Sequence, residues 1–215
     1  MHNPVEKPTW LYKPIDDIPE LNKIQKECFR IYSAVKKDIC KDVSWAIAGI
    51  ELDIMKKLAP NYINFLKKLG LYEIYAGTAF SASIGIQKYP CPVHVDCKDW
   101  RQLPFSLNIP VVGCEDSYTV FYDVDESSDP ANALPDTWDN NYMKMNKIEG
   151  VVGYSEKTAK EIGRMPATQP AFVNIGIPHR PVTNHTNLRL VMLSRFTPDI
   201  FDYVNNDIFK TKLSE

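Results

Sequence analysis

The sequence predicts an α+β chain, mainly β, whose strands form a sandwich or barrel of the jelly-roll type. Three observations lead there. Helical periodicity is concentrated in the first seventy residues, and short runs of β-branched and aromatic residues between turn formers fill most of the rest. Strands and helices nowhere alternate as a parallel sheet with crossover helices would require.

Residues 1–18, rich in Pro and Asp, are expected to run extended over the surface. From Pro19 to Lys37 the apolar positions Leu21, Ile24, Cys28, Ile31 and Val35 recur every three or four residues, the spacing of an amphipathic helix, with Pro19 suited to its first turn. A second helix is expected over about Ala48–Leu58. A third covers Pro60–Leu69, because Pro is unfavourable inside a helix but favourable at its start, and Gly70 can adopt the left-handed cap. These helices should brace one face of a sheet.

Beyond Gly70 the texture changes. Tyr72–Lys88 reads as one or two strands, and Pro90 and Pro92 bracket a bend into Val93-His94-Val95-Asp96. Leu103–Val112 and Ser117–Val124 are strand-like, with Gly113–Asp116 as the turn between them. The polar run 125–150 reads as a long excursion rather than a linker, either a solvated loop or a substrate lid, and Ser155–Ile162 as a short helix capped by Ser155 and ended by Gly163. Ala171–Phe196 then reads as two strands joined by the turn Asn184–Asn187. Val173, Ile175, Ile177 and His179 share a face of the first, and Arg189, Val191, Leu193 and Arg195 a face of the second, since strand side chains alternate. The last residues resume helix or coil. The domain reading is an N-terminal extension with bracing helices over 1–70, a core over 71–200 with an insert at 125–165, and a tail over 201–215, forming one functional domain.

At 215 residues the chain can bury a sizeable core without staples. Its net charge of −2, with no basic block, gives no reason to expect a nucleic-acid partner. The first residues do not read as a secretion signal, and no apolar run approaches the ~20 residues needed to cross a bilayer. Five cysteines, an odd number without paired spacing, favour reduced thiols and a cytoplasmic setting. Cys91 and Cys97 flank His94, but no second cluster with zinc-site spacing accompanies them, so both read as packing residues.

The chemistry rests on His94, His179 and His185, His2 lying at the start of the chain. His94-x-Asp96 sits at one strand end and His179 ends another. Two imidazoles and one carboxylate on one face of a metal leave the opposite positions open, the facial arrangement that suits non-haem Fe(II) and an anionic chelating cosubstrate. Such a cosubstrate needs a fixed cation at its far carboxylate, and Arg189, ten residues after His179, supplies a guanidinium that stays charged. His185 and Arg195 have the same spacing and stand as the rival pair. His179 is preferred because it shares a face with three apolar residues, whereas His185 sits in a turn. Arg195 is then a second cation for substrate or for an acidic neighbour. Asn108 interrupts an apolar strand and is suited either to hydrogen-bonding the cosubstrate or to satisfying a backbone group. Tyr118, Thr119 and Tyr122 lie on the next strand, and the sequence does not choose which of its faces lines the pocket. Trp100 and Arg101 cover the core or line the entrance.

In these elements the chain resembles the 2-oxoglutarate and Fe(II)-dependent oxygenases, whose motif is H-x-D, a long insert, a distal His and an Arg about ten residues on. Here the motif reads His94-Val95-Asp96, then Pro178-His179-Arg180-Pro181-Val182, then Arg189, and the resemblance covers roughly Tyr72–Phe196. The wording SLNIPVVGCEDSYTVFYD followed by IPHRPVTN is similar to the aspartyl/asparaginyl and prolyl hydroxylase-like branches. The resemblance implies a cupin-like double-stranded β-helix core with iron at its open end. His94, Asp96 and His179 would be the metal ligands, and Arg189 would hold the cosubstrate, with Asn108 as a further candidate contact. It further implies oxidative decarboxylation of 2-oxoglutarate to succinate and CO2, with O2 as second cosubstrate and ascorbate as a supporting reductant. The coupled step would hydroxylate a substrate, either a peptide or protein side chain or a small metabolite. Two other classes stay open on the sequence: a cupin-like metal- or small-molecule-binding module without turnover, and a metal-dependent isomerase that makes no use of Arg189 for a cosubstrate.

Overall fold

The computed structural model describes residues 6–35, 45–83, 91–97, 99–124, 152–184 and 187–214. Eleven strands among them form two antiparallel sheets. The larger has the order β1 (Tyr12–Pro14), β9 (Ala171–Asn174), β5 (Phe105–Val112), β11 (Arg189–Phe196), β3 (Tyr75–Ser83), β2 (Trp45–Ile50). The smaller has the order β7 (Val152–Tyr154), β4 (Val93–Val95), β10 (His179–Thr183), β6 (Ser117–Asp123), β8 (Lys160–Pro166). Leaving aside β1, β2 and β7, the chain visits the sheets as large, small, large, small, small, large, small, large. That is a double-stranded β-helix, and the fold class is a mainly β jelly roll with helices against it.

Why the helices lie where they do follows from what the large sheet presents. Phe80 and Ala82 of β3, Phe105, Leu107 and Ile109 of β5, Phe172 of β9, and Leu190, Met192 and Phe196 of β11 alternate onto its outer face. Helix α1 (Leu21–Val35) covers them with Ile24, Cys28, Ile31 and Tyr32, and α3 (Pro60–Lys68) with Tyr62, Phe65 and Leu66. Ile200 and Val204 of α4 (Ile200–Asn205) and Phe209 of α5 (Ile208–Ser214) close the same layer. Buried Glu27 of α1 ties the layer together. Its carboxylate accepts N–H bonds from Asn61 (3.2 Å) and Tyr62 (3.3 Å) at the start of α3, where unpaired amides and the helix dipole favour an anion.

The predicted helices 1 and 3 are found as α1 and α3, with Gly70 at φ 72° past the end of α3. The second is corrected. α2 spans only Leu52–Leu58, and the preceding Trp45–Ile50 is an edge strand paired residue for residue with β3, from Trp45↔Ser83 to Ile50↔Thr78. The supposed helix 155–162 is also corrected. Residues 160–166 pair with β6 as β8, Ser155 Oγ accepts from Lys157 N–H in a turn, and Gly163 is small because a Cβ there would lie 2.6 Å from Leu11 Cδ1. The N-terminal segment is not merely a surface covering: β1 adds to the large sheet through Tyr12↔Val173, and Ile15 and Ile18 are buried. The first seventy residues therefore contribute two strands as well as helices. The excursion 125–150 lies outside the described residues.

The most consequential correction concerns 171–179, expected as one strand. The chain leaves the large sheet after Asn174, turns through Gly176, and enters the small sheet at His179. Gly176 is required there because a Cβ would lie 2.8 Å from Trp100 Cβ. Alternation nevertheless survives the crossing. Val173, Ile175 and Ile177 pack together between the sheets with Cys97, Leu103, Phe121 and Met165.

Candidate metal and cosubstrate site

β4 and β10 are neighbours in the small sheet and place His94 directly opposite His179. Their rings lie 4.7 Å apart between centroids. Asp96, just past the end of β4, is tied to the crossing turn by its N–H to Ile175 O (3.3 Å). One ligand atom from each of His94, Asp96 and His179 lies within 4.8 Å of the others. Asp96 Oδ1 is 3.3 Å from His94 Nε2 and 3.7 Å from His179 Nε2. Both histidines use Nδ1 on a backbone carbonyl at 2.8 Å, Pro92 O for His94 and Ile177 O for His179. Those bonds place the ring proton on Nδ1 and leave both Nε2 lone pairs aimed at the shared point, the orientation a metal requires.

The electrostatics fit the same purpose. Burial works against ionisation of Asp96, but the Arg195 guanidinium and the two imidazoles outweigh it and hold its carboxyl well below the usual range. Burial, reinforced by neighbouring His94, lowers His179 to about 4 and keeps it neutral. Burial opposes a proton on His94 too. There Cys91, whose Sγ is 3.7 Å from Nδ1, and Asp96 prevail and raise its pKa well above the ordinary imidazole value. A proton and a metal therefore compete for His94 Nε2, so apparent metal affinity should rise with pH, by up to about tenfold per pH unit for the one proton displaced. Titrating a divalent metal calorimetrically in buffers of different ionisation enthalpy counts the proton; a pH-independent affinity would contradict the assignment.

Arg189 opens β11 on its inward face, opposite Ser83, and is buried. Its Nη1 is 3.5 Å from Ser81 Oγ, and its Nε is buried without a partner among the described residues. Burial pulls its pKa down, opposed by Cys114 and by Cys91, the same thiol that borders His94. A buried guanidinium this poorly satisfied asks for an anion, so the residue fits the far carboxylate of a dicarboxylate cosubstrate. Gly113, at φ 60°, lets the turn before β6 press against Leu188 O beside it, where a Cβ would lie 1.9 Å away.

Arg195 shares that inward face but serves a different partner: its Nη2 donates to Asp96 Oδ2. Of the rival pair, Arg195 therefore stands at the His94–Asp96 end, while His185 lies outside the described residues. Asn108 is buried on the inner face of β5, with Oδ1 accepting from Ser106 Oγ at 2.6 Å, so its amide donors are the part that can reach a ligand. Thr119 points inward and is buried, whereas Tyr118 and Tyr122 join Val93, Val120 and Val182 on the outer face. Trp100 packs on Phe201 (5.5 Å), with Arg101 over its ring, as a cover. The sequence reading missed Ser81, Ser106 and the pairing of Arg195 with Asp96. Alternation along β11 named Arg195 as inward-facing but could not name its partner.

No protein-family model and no curated protein matches the sequence. Solved structures do. The epimerase SnoN, in complex with Fe3+, alpha-ketoglutarate and nogalamycin RO, is 12% identical over 86% of this chain and 78% of its own, with a TM-score of 0.50. A Pseudomonas putida prolyl-4-hydroxylase is 13% identical over 88% and 93%, with a TM-score of 0.45. HygX from Streptomyces hygroscopicus, with nickel and 2-oxoglutarate bound, is 8% identical over 87% and 82%, with a TM-score of 0.47. Among the described residues no helix is long and apolar enough to cross a membrane. The chain has the double-stranded β-helix fold of the Fe(II)/2-oxoglutarate oxygenases that its motif resembles.

Proposed function

We propose that this chain is a 2-oxoglutarate and Fe(II)-dependent oxygenase that hydroxylates a peptide side chain or a small metabolite. The observation that carries the reading is the convergence of His94 Nε2, His179 Nε2 and Asp96 Oδ1 at one buried point, with two imidazole tautomers fixed for ligation. Iron and 2-oxoglutarate, when bound with O2, supply oxidative decarboxylation to succinate and CO2 coupled to oxidation of the substrate. The protein's part is positional. His94 and His179 hold the metal through Nε2, their Nδ1 protons locked on Pro92 and Ile177 carbonyls. Asp96 adds the single anionic ligand, leaving the site net positive and receptive to a dianion. Arg189, already desolvated, fixes the far carboxylate, and Asn108 offers amide donors from β5. Val173, Ile175, Ile177 and Phe121 pack as one apolar cluster beside the site, Phe121 6.2 Å from the His179 ring, and low-dielectric surroundings of this kind strengthen each of these charge contacts.

The deciding test is turnover: purified protein with Fe(II), ascorbate and O2 should convert 2-oxoglutarate to succinate. Lysate supplied with the protein should show a 2-oxoglutarate-dependent gain of one oxygen atom in the mass of its substrate. Absence of 2-oxoglutarate binding would refute the reading. Slow conversion with no hydroxylated product would leave a binding or sensing module as the better description.

A further inference from the structure

Asp96 has two oxygens, and the structure assigns them different duties. Oδ1 faces His94 Nε2 and His179 Nε2, whereas Oδ2 accepts from Arg195 Nη2. Arg195 is 6% exposed, and its Nε and Nη1 are buried without a partner among the described residues. Its cross-strand neighbours offer no charge: on one side Gly77, on the other Ser106, whose hydroxyl is committed to Asn108. For stability alone this is a poor arrangement, since a buried guanidinium with orphaned donors costs more than an apolar side chain of its size. Its contribution is therefore to be sought at its partner, Asp96.

A carboxylate free to rotate can chelate a divalent metal through both oxygens and take two coordination positions. One held at Oδ2 takes one. We propose that Arg195 is a positioning residue that keeps Oδ2 of Asp96 off the metal, so that three coordination positions stay open on the face opposite His94, Asp96 and His179. A 2-oxo acid chelating through its keto oxygen and carboxylate needs two of those positions, and O2 needs the third. The proposal rests on the metal-centre reading above and adds that its coordination number is set from β11.

Mn(II) bound to the full-length chain reads this directly, because water-proton relaxation counts the exchangeable waters on the metal. In Arg195→Met the relaxation enhancement should fall by about a third, as one of three open positions is lost to Oδ2. In Arg195→Lys, which keeps a charged donor within reach of Oδ2, it should return to the wild-type value. In parallel, 2-oxoglutarate affinity of the Mn(II) protein should drop by about tenfold or more in the methionine variant while Mn(II) affinity changes much less. A merely structural role would lower both together. Wild-type relaxation and 2-oxoglutarate affinity in Arg195→Met would overturn the positioning role and leave the oxygenase reading standing. Failure of the wild-type chain to bind Mn(II) at all would instead overturn both. If the methionine variant does not fold, Arg195→Gln, whose shorter amide stops short of Oδ2, decides: loss of a water with Mn(II) still bound supports the role, and wild-type relaxation with wild-type 2-oxoglutarate affinity overturns it.

Discussion

Replacing His179 by alanine is expected to abolish stoichiometric iron binding and, with it, all succinate formation. Two ligands would remain, and Asp96 Oδ1 would lose the imidazole now 3.7 Å away. The effect should be specific to function. His179 is buried and neutral, its pKa lowered from 6.5 to about 4 by burial first and then by His94. The unfolded chain therefore binds a proton that the folded chain refuses. Stability contributed by this group is present above pH 6.5 and falls as pH drops toward about 4. The alanine protein lacks that liability, so it should stay folded by circular dichroism and lose less stability than the wild type across that interval. His185→Ala serves as the control, since the rival motif would make that residue the ligand. Metal binding lost in His185→Ala but kept in His179→Ala would reverse the assignment of the distal histidine.

Arg189→Met should weaken 2-oxoglutarate binding by about 2–5 kcal/mol, roughly thirtyfold to several thousandfold, the cost of removing one partner from a buried charge-assisted pair. Metal affinity should hardly change, because Arg189 donates to no ligand; its one hydrogen bond within the described residues goes to Ser81 Oγ at 3.5 Å. The metal-free variant should be as stable as the wild type or more so, since a buried cation whose Nε has no partner among the described residues is replaced by an apolar chain of similar length. Calorimetric titration with 2-oxoglutarate of the Mn(II)-loaded protein under nitrogen measures the first effect, and thermal melting the last. An unchanged 2-oxoglutarate affinity would revive a metal-dependent isomerase that has the barrel and the metal but not the cosubstrate.

These expectations differ in how much of each was readable before the chain was seen folded. The order His94-x-Asp96, His179, Arg189 is a local pattern, and strand alternation already turned His179 inward with Val173, Ile175 and Ile177. That inference held even though the strand beneath it does not exist as one piece. The chain crosses between sheets at Gly176, and the alternation persists because both halves still face the same interior. The misread segments fail for a common reason. Trp45–Ile50 and Lys160–Pro166 are edge strands stabilised by pairing with β3 and β6, residues distant in sequence, and short apolar spacing does not tell a pairing edge from a turn of helix.

The sequence by itself determined the kinds of donor available, their order, and which residues of one strand share a face, because those follow from side-chain chemistry and the period of a strand. It also determined that helices would cover one sheet, through the spacing of Ile24, Cys28 and Ile31 and the stop at Gly70. The tertiary structure alone decided which arginine meets which carboxylate. Arg189 and Arg195 are equivalent in pattern, six residues apart on one face of β11. Only the register against β3 and β5, and the approach of β4 from the opposite sheet, brings Asp96 Oδ2 to Arg195 and leaves Arg189 for an anion from outside. Period 2 settles a face; partners come from long-range pairing that no local pattern records.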